Sequence, residues 1–358
     1  MKVMFIPDYR SGNSYQTNLA HSLSKQGASI YFSPKFHRRK ITSLFAMIIG
    51  LSRCWRPDIL HIHWPDPFMI ADNKFITFIK STGFICEILL LKLFGVKIIW
   101  TVHNIMGHED RSEYQLLFTR LMARLNNKLI SHCSSANIEI VKTYGKDLSI
   151  TVIHHGNYIR QYKNEMTSLQ ARNKLGFDKE DIIFLHFGYI RPYKGISELI
   201  NAFKRLDNQR AKLLIVGKPF DNKIATDIYN DCKYDNRIKN ILKFIPDDDI
   251  QIYMNAADVV VLPYKDVLTS GTVILSMSFG RPIIAPAIGC IADTIDEKGG
   301  FLYKTKDGLF ESMKNVLCID REILMDMGKH NFKLTEQFGW DEIGKRTYDI
   351  YQECLNGR

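Results

Sequence analysis

No two cysteines in this 358-residue sequence are spaced as CxxC; the seven (Cys54, Cys86, Cys133, Cys232, Cys290, Cys318 and Cys354) are scattered and odd in number. Zinc ribbons and thioredoxin-type redox motifs are thereby excluded, and a reducing compartment is expected. The chain also lacks a run of about 20 apolar residues able to span a bilayer. Ile41–Leu51 is too short, and Phe75–Phe94 is interrupted by Lys80, Glu87 and Lys92, so both are expected to be buried or amphipathic helices. There is no solenoid-period repeat and no low-complexity tract. The GxGxxG fingerprint is missing, which argues against NAD or FAD. A helical HExxH is missing too, and no DxD lies in a suitable loop, so no metal site is expected. The start, VMFIP, is strand-like and lacks the basic and apolar regions of a signal peptide, which points to the cytoplasm.

What is present suits two cores, since single cores stop growing near roughly 250–300 residues. Short apolar runs bounded by turns alternate with amphipathic stretches: VMFIP, ASIYF, DILHIHW, KIIWTVH, KLISHCS and SITVIHHG, then IIFLHFG, KLLIVG, ILKFIP, DVVVLPY and RPIIAP. Such runs are the signal of parallel strands covered on both faces. An α/β chain with two doubly wound sheets is expected, residues 1–165 forming one domain and 166–358 the other. Substrates would lie in the cleft between them. The segment 340–355 reads as a terminal amphipathic helix with Asp341 in its N-cap or first turn. It is expected to pack back towards the first domain.

Charge is lopsided. Residues 1–165 hold 21 Lys and Arg against 11 Asp and Glu, whereas residues 166–358 hold 27 of each. Lys35, His37, Arg38, Arg39 and Lys40 directly precede ITSLFAMIIGL, a pairing suited to an anionic membrane surface. Nucleic acid is not expected as a partner, because no helix-turn-helix, RNA-recognition aromatics or zinc finger accompanies the basic charge.

The chemistry concentrates at strand-to-helix junctions, where a doubly wound sheet binds phosphate. FGYIRPYKG, residues 187–195, places Arg191 and Lys194 between a strand and a helix starting near Ile196. Two cations there can neutralise a departing diphosphate. LTSGT, residues 268–272, follows a buried strand and precedes a helix starting about Val273. Thr269, Ser270 and Thr272 offer hydroxyls, and Gly271 permits close backbone approach. In the first half a weaker glycine loop holds Gly12, and two histidine-bearing strand ends carry His63, Trp64, Asp66, His103, Asn104, His108 and Glu109. His61, alternating with His63, is expected to be a satisfied core histidine.

In this order the motifs resemble the GT-B glycosyltransferases, nearest to glycosyltransferase family 4 and related bacterial polysaccharide enzymes. The resemblance spans nearly the whole chain: the Gly12 loop, PDILHIHW, WTVHN followed by HE, FGYIRPYKG, NAADVVVLPY, SFGRPIIAP and the terminal FGW with its helix. It implies two Rossmann-like domains, the second holding a nucleotide-diphosphate sugar of UDP or GDP type and the first an acceptor. It also implies a metal-independent hexosyltransferase without a cofactor. Lys194 matches the family's diphosphate-contacting lysine and His103 the histidine lying against the donor sugar. The usual arginine position falls on Tyr189, and the Glu-x7-Glu pair falls on Val267 and Leu275. Donor handling would then rest on Asp266, Thr269, Ser270, Gly271 and Thr272. Loss of the pair favours inversion over retention, with Glu109 or His103, or else Asp66, as general base.

The expected function is sugar transfer to a lipid-linked oligosaccharide in bacterial surface polysaccharide synthesis (O-antigen, capsule or exopolysaccharide), at the inner face of the cell membrane. The alternatives are a degenerate nucleotide-sugar-binding protein without transferase activity, and an epimerase or phosphorylase on the same frame.

Overall fold

The computed structural model describes residues 1–10, 14–33, 54, 56–71, 73–105 and 113–357. Gly12, His108, Glu109 and the basic cluster at 35–40 with its apolar sequel lie outside the described residues. The chain divides into two compact units, Met1–Gly156 with Gly339–Arg358, and Asn157–Phe338.

The first unit runs β1 (Lys2–Ile6), α1 (Ser14–Lys25), β2 (Ser29–Phe32), β3 (Ile59–Ile62), α2 (Asp66–Met69), α3 (Lys74–Leu93), β4 (Lys97–Thr101), α4 (Glu113–Leu125), β5 (Lys128–Ser131), α5 (Ser134–Tyr144) and β6 (Ile150–Val152). Its strands form one parallel sheet in the order β2-β1-β3-β4-β5-β6. The order reverses between β1 and β3, so the carboxyl ends of those strands flank the natural ligand crevice. All six runs read as strands in the first half are strands here. α3 is a helix anchored at its start by Asn73, whose Oδ1 accepts from Phe75 N at 2.8 Å. Lys80 is buried on it and donates to the carbonyls of Pro67 and Ile70 at 2.8 and 2.9 Å, so its ammonium is hydrogen-bonded where it is buried. Among the described residues no helix is long and apolar enough to cross a membrane.

The second unit runs α6 (Ser168–Leu175), β7 (Ile182–Phe187), α7 (Ile196–Lys204), β8 (Ala211–Val216), α8 (Asn222–Cys232), β9 (Ile238–Ile241), α9 (Ile250–Ala256), β10 (Val259–Val261), α10 (Gly271–Ser278), β11 (Ile283–Pro286), α11 (Ile291–Thr294), β12 (Gly300–Tyr303), α12 (Gly308–Leu317) and α13 (Arg321–Glu336). The sheet is again parallel, ordered β12-β11-β10-β7-β8-β9, with its reversal between β7 and β10. Both faces are covered: Ile183, Leu185 and Phe187 of β7 enter one core cluster and Phe184 the other. That is why these strands are continuous apolar runs instead of alternating ones. At the start of β7 the half-buried Asp258 carboxylate accepts from the buried Arg172 Nη2 at 2.6 Å and from Ile183 N at 2.7 Å, so the charge is paired.

Two boundaries differ from expectation. Residues 157–165 go with the second unit, because Asn157 Nδ2 donates to Thr335 O at 2.7 Å, Tyr158 N to Ser278 Oγ at 3.0 Å and Glu165 N to Gln251 Oε1 at 3.0 Å. β9 ends where ILKFIP begins, since its register with β8 pairs Leu213 with Ile238 and Val216 with Ile241. The last helix, α14 (Trp340–Leu355), belongs to the first unit. Asp341 sits in its first turn and bonds Lys25 Nζ at 2.8 Å. A Cβ on Gly344 would come within 2.4 Å of Ser22 Cβ, so glycine lets α14 and α1 pack closely.

Candidate active site

In the second unit the two motifs read as separate phosphate binders meet at the strand reversal. FGYIRPYKG leaves β7 and YKDVLTSGT leaves β10, and Lys265 N donates to Tyr193 O at 2.9 Å to tie the loops. Gly195 turns the chain into α7 at φ +71°, and a Cβ there would lie 2.0 Å from Pro263 O. Only glycine permits both the left-handed backbone and this approach. The result is a buried Lys194 whose Nζ donates to Tyr264 Oη at 2.8 Å. That phenol is 2.9 Å from Ser270 Oγ, and Ser270 caps α10 by accepting from Val273 N at 3.4 Å. A cation, a phenol, a hydroxyl and a helix N-terminus are thus joined in one polar line. Fixed donors of this kind suit an anion that develops charge during reaction.

Around this line, Gly188 has φ +119°, and a Cβ there would be 3.2 Å from Thr272 Oγ1. Thr269, Ser270, Gly271 and Thr272 are half-buried, whereas Asp266 is exposed. The Arg191 guanidinium lies over the Phe220 and Tyr189 rings, 4.9 and 5.2 Å from their centroids. Val267 and Leu275 are buried in the apolar core.

The first unit carries a row of imidazoles along the carboxyl edge of its sheet. His63 follows β3, His103 follows β4, His132 follows β5 and His155 follows β6, four strands adjacent in the sheet. His63 Nδ1 is 3.4 Å from His103 Nε2, and His103 Nδ1 is 3.2 Å from His132 Nε2. His132 Nδ1 is 2.9 Å from Ile153 O. Tyr15 from α1 packs its ring against all four, with centroids 4.8–5.8 Å away. Trp64 stacks on His103 at 4.4 Å and 14°. Burial pushes His132 down to about 3 and half-buried His155 to about 4, and holds His63 and His103 well below the usual histidine value. These rings are neutral at pH 7. His61, one residue inside the strand, is satisfied by Tyr351 Oη at 2.6 Å and Thr101 Oγ1 at 2.7 Å. Among the described residues no group of three or more His, Cys, Asp or Glu is arranged to hold a metal ion.

Comparison with known proteins bears on the second unit first: residues 168–333 match the family "Glycosyl transferases group 1". The chain is 28% identical over 309 residues to the GDP-mannose:glycolipid 4-beta-D-mannosyltransferase of Xanthomonas campestris pv. campestris, covering 84% of this chain and 81% of that one. Its fold matches that of sucrose-phosphate synthase from Thermosynechococcus elongatus with a TM-score of 0.81 at 15% identity, over 100% of this chain and 99% of that one. It also matches Anabaena HepE, solved in complex with UDP-glucose, with a TM-score of 0.77 at 16% identity over 100% of both chains. The fold is that of the GT-B glycosyltransferases, and the second unit is similar to a group 1 glycosyltransferase domain.

Within the second unit, the structure joins Lys194 to Ser270 through Tyr264, a residue the motifs did not single out. Its position, directly after the strand VVVLP, was the available signal. In the first unit His63, Trp64 and His103 come together, with Asn104 half-buried beside them in sequence. Asp66 opens α2, and its charge helps burial raise Tyr9 to about 12. His132, His155 and Tyr15 were missed. KLISHCS and SITVIHHG place histidines after strands just as DILHIHW does, so the strand-end rule applied to them as well.

Proposed function

We propose that the protein transfers a sugar from a UDP- or GDP-type donor to a lipid-linked saccharide, at the inner face of the cell membrane, during bacterial surface polysaccharide assembly. The observation that carries this reading is the Lys194–Tyr264–Ser270 line at the strand reversal of the second unit. In it, Lys194 and the amides opening α10 neutralise the departing diphosphate with no bound metal or cofactor, and Arg191 adds a second cation. Thr269, Gly271, Thr272 and Asp266 hold the remaining donor groups. The Xanthomonas relative is named for a glycolipid acceptor and a β-linked product, which supports the lipid-linked acceptor and the inverting course. An inverting reaction needs a base to take the acceptor proton; we assign it to Glu109, His103 or Asp66, in the unit that also holds Gly12 and Asn104.

A thermal-shift screen of UDP, GDP, CDP and dTDP with their sugars tests the donor. At 100 times its dissociation constant a ligand stabilises by about 2.7 kcal/mol, a rise of roughly 5–10 °C for a unit of this size. Selective stabilisation by one nucleotide class is expected; no shift with any of them refutes the assignment. A second reading, a binding protein without transfer, is favoured by Val267 and Leu275 being core residues where relatives of this type would carry carboxylates. It predicts the same shift with neither transfer nor slow hydrolysis of the donor.

Membrane docking is supported by an apolar stripe along α3, where Phe75 is 70% and Leu93 84% exposed, continued by Phe94, Tyr114 and Leu117. Exposed apolar area on that scale marks an interaction face, and the surplus of basic charge in residues 1–165 suits anionic headgroups. Sedimentation with phosphatidylglycerol vesicles should therefore pull the protein down. A Phe75→Asp, Leu93→Asp double variant should bind at least about tenfold more weakly, given about 1.5–3 kcal/mol for each large side chain buried. Equal binding of both proteins would remove this face from the proposal.

A further inference from the structure

The imidazole row has a direction. Ile153 O can only accept, so His132 Nδ1, 2.9 Å away, carries the hydrogen. A neutral His132 then has a bare Nε2, which makes His103 Nδ1 the donor across 3.2 Å. His103 Nε2 is in turn bare and faces His63 Nδ1 at 3.4 Å, a longer contact that still leaves the proton on His63. One backbone carbonyl thereby sets three tautomers in succession. Both ring nitrogens of His103 are engaged in the row, which leaves Glu109 or Asp66 as the general base among the three candidates proposed above. The chain ends at His63 Nε2, which is buried and has no hydrogen-bond partner among the described residues. A buried acceptor left so is destabilising, and a ligand hydroxyl would satisfy it.

We propose that His132 is a positioning residue: through Ile153 O it fixes His103 and His63 as Nδ1–H tautomers, leaving His63 Nε2 as an acceptor for a hydroxyl of the bound sugar substrate. The second half rests on the sugar-transfer function proposed above; the first half does not. The ring stack supports the assignment, because Tyr15 packs edge-on to His63, His103 and His132 and restrains all three planes. The row is not a relay to solvent, since it terminates on a carbonyl that cannot take the proton.

The test is 15N-detected histidine spectroscopy of the intact protein at pH 7.5. Nδ1–H tautomers are expected for His132, His103 and His63, and an Nε2–H tautomer or an imidazolium at His103 overturns the positioning role. His132→Phe removes the acceptor for His103 Nδ1 and should mix the tautomers of His103 and His63. It should also lower kcat/KM about tenfold while leaving nucleotide binding in the second unit unchanged. A variant that keeps pure Nδ1–H rings also counts against the proposal. If His132→Phe fails to fold, the wild-type spectrum still decides. Saturation with the nucleotide sugar selected by thermal shift, then with its acceptor, should move the His63 Nε2 resonance. Expected tautomers with an unmoved Nε2 would sink the substrate contact while leaving the positioning role standing.

Discussion

Acidification from pH 7.5 to 5 is expected to melt the first unit while the second stays folded. Five neutral histidines lie in that unit. His61 and His132 are pushed down to about 3, His155 to about 4, and His63 and His103 well below the usual value, in each case chiefly by burial. In the unfolded chain each would titrate near 6.5. Between those values the unfolded state binds protons that the folded state refuses, so unfolding gains on folding as the pH falls. Stability is whole above about pH 6.5 and drops by roughly 1.4 kcal/mol per histidine for each pH unit below it. Two such groups at pH 5 account for about 4 kcal/mol, and five approach the entire 5–15 kcal/mol that holds a typical domain. The second unit carries His186, pushed down to about 3, as its one resolved case of this kind among the described residues. Calorimetry at several pH values should show two transitions, one of which moves steeply below pH 6.5. A single transition that stays put down to pH 5 would show that these rings are not buried as neutral groups.

The same rings show what one sequence can and cannot disclose. Parallel strands were legible because their cores are runs such as ILHI and IIFLHF, which need both faces covered. β12 was not, since GFLY opens on glycine, is half-exposed over its last three residues and edges the sheet. Strand-end chemistry was legible one strand at a time: His63 and His103 stood out by following apolar runs. That His132 and His155 continue the row depends on β3, β4, β5 and β6 being neighbours, which is a property of sheet order and not of spacing along the chain. His61 could be placed in the core because it alternates with His63, although its partners Tyr351 and Thr101 lie 290 and 40 residues away. Likewise Lys194 and Ser270 each stood out in its own motif as a candidate phosphate contact. Their connection needed Tyr264, 70 residues from Lys194, and the adjacency of β7 and β10.

That connection makes Lys194→Ala the substitution with the largest expected effect on chemistry. Removing the ammonium takes away a cation held by Tyr264 at 2.8 Å, already desolvated and already aimed, so little reorganisation is needed when charge develops on a leaving group. Loss of one such preorganised contact lowers turnover on the order of 100-fold. Tyr264→Phe separates charge from its positioning: the ring that lies 4.2 Å from Lys194 Nζ remains, while the hydroxyl linking Lys194 to the α10 cap is lost. Its expected cost is about tenfold, the scale of one hydrogen bond to a charged group. Lys194→Arg should not restore activity, because a planar guanidinium fork cannot reproduce the single point contact that Nζ makes with Tyr264 Oη at 2.8 Å in this buried site. Steady-state turnover with an unchanged melting temperature is the measurement. Near-normal turnover in a folded Lys194→Ala protein would move the diphosphate contact away from this line. A defect in Tyr264→Phe equal to that of Lys194→Ala would mean that the phenol, and not the ammonium, carries the interaction.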